Sequence, residues 1–194
     1  ESSDSADVNS DTNAVETDGK TDAEETKAPE ESVTTGYELS DGTLTILDDD
    51  AMVNYDDPQQ IPWYEQRENI TKVVISDGVT KIGEDAFSNC TNLSSVKIPS
   101  SVTRIEAWAF FCCESLKEIV IPNGVETIGN GAFQSTNLVS ITLPDSLKHI
   151  DKYAFKDCYS LTSFTISANL EPFDFNILDG CESLAKVTVD EKNK

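Results

Sequence analysis

Apolar residues at alternate positions recur in six short stretches of the chain: "KVVISDG", "SVKIPSS", "EIVIPNG", "SITLPDS", "SFTISAN" and "KVTVDEK". Their inward pairs are Val73 and Ile75, Val96 and Ile98, Ile119 and Ile121, Ile141 and Leu143, Phe164 and Ile166, and Val187 and Val189. Period-two alternation in β-branched residues predicts a short strand with one buried face. Pro99, Pro122 and Pro144 close three of the stretches, and proline ends a strand because it has no N–H for the ladder. Asn-Gly, Asp-Gly and Ser-Ser pairs close by supply the turn.

A second pattern lies between the strands. The segments "VTKIGEDAFSNCTNL", "VTRIEAWAFFCCESL", "VETIGNGAFQSTNL", "LKHIDKYAFKDCYSL" and "LEPFDFNILDGCESL" align. An Ile position runs through Ile82, Ile105, Ile128 and Ile150 to Phe173, and a Phe position through Phe87, Phe110, Phe133 and Phe155 to Leu178. The spacing is 23 residues in every step but one, and that step is short by one residue in "FQSTNL", beside Thr136. One such unit cannot bury its own apolar face; stacked copies put Ile on Ile and Phe on Phe and share a continuous core. The expected fold is therefore a right-handed repeat solenoid with parallel strands about 4.8 Å apart on one face. Short β or 3-10 segments return along the other face. Five to six coils make a rod roughly 25–30 Å long by the same spacing.

The consensus "L-x-x-I-x-I-P-x-x-V-x-x-I-G-x-x-A-F-x-x-C" resembles the leucine-rich repeats of bacterial BspA-like surface proteins. The residues before it, "LSDGTLTILDDDAMVNYDD" and "IPWYEQRENITKVVISDGVTKIG", are similar to the opening segment of such domains. There a hairpin and a Pro-Trp-Tyr motif precede the first repeat. Trp63 and Tyr64 suit the covering of an open coil end and sheet edge. The expected division is a disordered acidic Ser/Thr-rich linker at 1–36, an N-terminal β-hairpin cap at 37–69 and a solenoid of about five repeats at 70–194. "LAKVTVDEKNK" opens a further strand and stops, which marks the chain as a candidate fragment of a longer protein.

Charge narrows the partners. The sequence carries 36 acidic and 14 basic residues for a net charge of −22, which argues against nucleic acid and anionic membrane surfaces. Residues 1–36 contain no aromatic residue and 11 of the acids, so they cannot bury enough surface to offset their ordering entropy. No apolar run approaches the ~18 residues of a membrane span.

Candidate chemistry is sparse. Cys90, Cys113, Cys158 and Cys181 share one repeat position, without the short-spaced pairs that zinc requires. They read as small buried residues, with disulfides between stacked neighbours as the alternative. Cys112 lies off that position. His149 sits in a polar, solvent-facing position with no neighbouring nucleophile to activate. Asp48–Asp50, with Asp56 and Asp57, lack the alternate spacing and glycine of a calcium loop and read as a solvated loop. No catalytic residue, metal or cofactor is expected.

Two surfaces remain as binding candidates. The outward strand positions Val74, Lys97, Val120, Thr142 and Thr165, flanked by Ser95, Glu118, Ser140 and Ser163, form an adaptable Ser/Thr-rich face. On the return side, Trp108, Phe111 and Tyr153 put aromatics where other copies are mostly polar. The resemblance implies a monomeric, non-enzymatic adhesion module outside the cell or on its surface, anchored through a lipid or to the wall. Its ligand would be an extracellular protein or glycan. The alternative is a structural spacer in a longer surface protein.

Overall fold

The computed structural model describes residues 36–167 and 169–189; the linker expected at 1–36, apart from Gly36, lies outside them. The chain opens in a hairpin. Strands Tyr37–Ser40 and Thr43–Ile46 pair antiparallel through Asp41 and Gly42. Both turn residues have positive φ, 48° and 72°, the combination that matches a two-residue turn to strand twist. Thr43–Ile46 then pairs in parallel with Lys72–Ile75, which pairs with Ser95–Lys97. The hairpin thus extends the solenoid sheet by two strands and covers its first edge.

The sheet is not continuous, contrary to the expectation from the alternating stretches. Strands Ser140–Thr142, Ser163–Ile166 and Lys186–Val189 form a separate parallel sheet. The residues between the two sheets, Glu118–Ile121, form no strand, and their backbone makes no hydrogen bond to either neighbour. This coil is the one that ends in the shortened "FQSTNL" turn. The expected inward pair Val187 and Val189 is also corrected: they are 47% and 50% exposed, because no described residue stacks beyond them.

The Ile positions form a third sheet. Lys81–Ile82, Arg104–Ile105, Thr127–Ile128 and His149–Ile150 pair in parallel, each coil in register with the last. Beside it runs an aromatic column. Phe87, Phe110, Phe133 and Phe155 are fully buried with ring centroids 5.3, 5.2 and 5.1 Å apart. Trp63 continues the column below, 6.0 Å from Phe87, and Tyr37 closes it edge-on at 5.2 Å. At the far end Phe164 meets Phe155 edge-on at 5.4 Å. In the fifth coil the Ala-Phe pair becomes Ile177 and Leu178, and the buried Ile177 compensates in volume for the lost ring.

The cap also replaces missing backbone. In later coils, N–H groups such as those of Thr103, Glu106 and Gly129 donate to carbonyls of the preceding coil. The first coil has no complete coil before it, so cap side chains accept instead. Asp49 accepts from the N–H and hydroxyl of Thr80, both at 2.7 Å, and Asn54 accepts from the N–H of Glu84 at 3.1 Å. Trp63 Nε1 donates to the Ala86 carbonyl at 2.6 Å. Part of the acidic run that sequence reading assigned to a solvated loop is therefore structural. Burial pushes the Asp49 carboxyl up, but the bonds to Thr80 outweigh it and hold the pKa below the ordinary value.

Candidate functional site

The cysteine position is a packing position. All five cysteines are free thiols. Cys113, Cys158 and Cys181 each donate S–H to the Phe carbonyl of an earlier coil, at Phe87, Phe133 and Phe155, over 3.1–3.2 Å. Thr136 occupies the same position in the third coil, buried, with its hydroxyl donating to the Phe133 carbonyl at 2.9 Å. Burial pushes Cys90 up to about 12 and Cys113 well above the ordinary thiol value. Among the described residues no cluster of His, Cys, Asp and Glu could hold a metal ion. His149 is exposed, with Nδ1 3.1 Å from Glu171.

The return face owes its shape to two left-handed residues in each of the first four coils and one in the fifth. One lies two residues before the Phe position, at Asp85, Trp108, Gly131 and Tyr153; the other lies two after, at Asn89, Cys112, Ser135, Asp157 and Gly180. Backbone N–H groups at these positions and at the Phe itself donate to carbonyls of the next coil, as from Asp85, Phe87 and Asn89 to Ala107, Ala109 and Phe111. Left-handed backbone favours Gly, Asn and Asp and is unusual for large side chains. Trp108, at φ 51°, is therefore strained and yet 39% exposed. Its indole lies over Gly131 of the next coil, where a Cβ would come within 2.7 Å of Cδ1 and 2.8 Å of Nε1. The ring can lie there only because Gly131 has no side chain.

Trp108 borders a concave site of about 300 Å³. The second coil contributes Trp108 and Phe111, and the first coil contributes Asp85, Ser88 and Asn89. Pro58, Ile61 and Tyr64 complete the lining from the cap. Asn89 Nδ2 donates to Ser88 Oγ at 3.0 Å. Burial pushes the Asp85 carboxyl above its usual range, opposed by a Ser88 hydrogen bond and reinforced by the Glu84 carboxylate. Arg67 stacks on the Tyr64 ring, its guanidinium carbon 3.8 Å from the centroid, and donates to the Tyr64 carbonyl.

Of the aromatics singled out in the sequence, Trp108 and Phe111 thus meet in one site. Tyr153 does not line it; it lies two coils on, with Lys156 Nζ 5.3 Å from its ring centroid. The cap residues were missed because they lie outside the repeat. For the first-coil residues the available signal was the Asp, Gly, Asn and Ser usage two residues from the Phe position at Asp85, Asn89, Gly131, Ser135, Asp157 and Gly180, which marks a left-handed turn.

The strand-face candidates are exposed or half-exposed. Val74 pairs with Lys97, Thr142 with Thr165 and Ser140 with Ser163, in the two separate sheets. Val120, 79% exposed, stands between them. A cleft of about 520 Å³ runs beside it, bordered by Glu118, Pro122, Ser140 and Thr142, and a smaller one of about 240 Å³ opens toward Ser95. No helix among the described residues is long and apolar enough to cross a membrane.

The fold is similar to that of solved bacterial proteins. A leucine-rich repeat protein of Eubacterium ventriosum is 29% identical with a TM-score of 0.67, over 80% of this chain and 42% of that one. A leucine-rich repeat protein of T. pallidum is 24% identical with a TM-score of 0.62, over 79% of both chains. One from Bacteroides ovatus is 23% identical with a TM-score of 0.55, over 78% of this chain and 50% of that one. The chain thus spans less than half of the Eubacterium protein's length. No curated protein sequence matches it. The BspA type leucine-rich repeat region matches in six copies across residues 63–192, most of the chain, and the chain belongs to that family.

Proposed function

We propose that this chain is a non-enzymatic, adhesion-type protein-binding module of a bacterial cell surface, and that it holds its partner at the aromatic site beside the cap. The carrying observation is Trp108: a large aromatic kept partly exposed on a left-handed backbone, at the lip of an apolar concavity. The left-handed backbone recurs at Asp85, Gly131 and Tyr153; what is particular to Trp108 is a large ring in the wall of the concavity. Half-exposed Trp and Tyr around a pocket are the residue types that anchor protein interfaces. A second reading places the partner on the strand face, where the sheet interruption opens the cleft beside Val120.

The test is a binding screen of the full chain against extracellular-matrix proteins and glycans. Trp108→Asn, which suits the left-handed backbone, removes the aromatic lip; Thr142→Lys blocks the strand-face cleft. Loss of a hit with Trp108→Asn alone supports the first surface, and loss with Thr142→Lys alone moves the partner to the second. A hit that survives both substitutions sinks both surfaces.

A further inference from the structure

We infer that the site between Tyr64, Asp85, Trp108 and Phe111 receives a cationic side chain, a lysine or arginine of the partner protein. The inference rests on the protein-binding reading above and supplies its chemistry. Three aromatic rings and one carboxylate line the same concavity. Cations bind over aromatic faces, most strongly where water is displaced, and a carboxylate adds direct charge pairing.

The remaining polar groups narrow the ligand further. Asp85 has no ion-pair partner among the described residues; its polar neighbours are the Ser88 hydroxyl and the Glu84 carboxylate. A half-buried carboxylate without a cation leaves electrostatic stabilisation unused, and an arriving ammonium or guanidinium supplies it. Ser88 and Asn89 are bonded to each other, and the Asp85 carboxylate is the charged acceptor of the lining. A lysine or arginine head consists only of donors.

Arg67 does not line the site. Its guanidinium lies on the Tyr64 ring and is tied to the Tyr64 carbonyl, with no bridge to Asp85. The volume, about 300 Å³, is at the small end of ligand cavities, suited to one side chain rather than an oligosaccharide. The net charge of −22 steers basic partners toward the whole molecule.

The experiment uses two-dimensional NMR of the full chain and reads its two indole N–H signals, from Trp63 and Trp108. The probes are the Nα-acetyl methylamides of lysine, arginine and norleucine, and cellobiose as a neutral saccharide. Lysine or arginine is expected to shift the Trp108 signal saturably and leave the buried Trp63 in place. Norleucine, the uncharged counterpart, should bind about tenfold more weakly. Asp85→Asn keeps a residue suited to φ 55° and should weaken lysine binding by about the same factor. Phe111→Ser installs the residue type of the first coil and should do likewise. Norleucine binding as tightly as lysine, an unchanged Asp85→Asn variant, or saturation by cellobiose alone each overturns the proposal. If the fragments fail while Phe111→Ser still abolishes capture of a protein hit, the cationic assignment falls and the protein-binding reading stands.

Discussion

Gly131 and Gly129 differ by two residues, and alanine at each should act in different ways. At Gly131 the backbone has φ 59°, and a side chain in the left-handed region costs about 1–2 kcal/mol. The new Cβ would lie 2.7 Å from Trp108 Cδ1; an ordinary carbon contact is about 3.5 Å or more, so the indole must withdraw by nearly 1 Å. That obstacle is a partly exposed side chain and can yield. The total is about 2 kcal/mol, or roughly 4–8 °C in Tm for a domain of this size. At Gly129 the φ is ordinary, but the Cβ would lie 2.6 Å from the Ala107 backbone N and 2.8 Å from the Glu106 carbonyl carbon. Backbone cannot swing away, and parting the coils stretches the 2.8 Å bond from Gly129 N–H to the Ile105 carbonyl. Overpacking of about 1–3 kcal/mol and a compromised buried hydrogen bond of about 1–3 kcal/mol give about 3–5 kcal/mol. Thermal circular dichroism ranks the two variants. Acrylamide quenching reads Trp108, because Trp63 is only 1% exposed. Gly131→Ala should raise the quenching of Trp108. An unchanged quenching constant, or Gly129→Ala proving the milder variant, would refute the reasoning.

Three further outcomes are expected. Phe133→Ala removes a fully buried ring stacked on both sides and should cost about 4–6 kcal/mol in urea denaturation; a loss below ~2 kcal/mol would mean that the column is not a stabilising element. Asp85→Asn should raise Tm at pH 7. Burial raises the folded pKa of Asp85 above 3.8, so the native state binds the extra proton and stability falls as pH rises through that interval. The advantage of the variant should therefore vanish below about pH 3, where both states carry the proton, and an advantage that persists there contradicts the assignment. Native alkylation followed by peptide mapping should label Cys181 first. It is half-buried, and the Cys158 thiol bonded to it lowers its pKa against the opposing effect of burial. Cys112 should follow, held back by burial, and Cys90 and Cys113 should stay protected until unfolding; equal rates for Cys90 and Cys181 would refute the ladder of buried thiols.

The period was legible because packing repeats it. Each coil must present the same Ile, Ala and Phe to its neighbours, so Ile82 and Phe87 recur as Ile105 and Phe110. The cap was legible from the Asp41-Gly42 turn and the size of Trp63. That Trp63 continues the phenylalanine column was not, because no Ala precedes it and it lies outside the aligned copies. The interrupted sheet was hidden as well, since Ile119 and Ile121 of "EIVIPNG" keep the same inward positions as Val96 and Ile98 of "SVKIPSS". Half of the candidate site was visible as excess aromatics. The other half comes from Ile61 and Tyr64, whose meeting with Trp108 depends on how the cap closes over the first coil.

The ring column has a mechanical consequence. Among the described rings, each phenylalanine of the column meets only the ring before it and the ring after it. Tension applied along such a stack loads one interface at a time, and the weakest yields first. Two places are candidates: the third coil, where Glu118–Ile121 form no strand bonds with either neighbour, and the fifth, where Leu178 replaces the ring. Each coil that opens would release about 75 Å of chain. A tether made this way lengthens in steps under load while the cap and first coils, where Tyr64, Asp85 and Trp108 lie, stay closed, and a sawtooth of that spacing is what a force–extension trace would record.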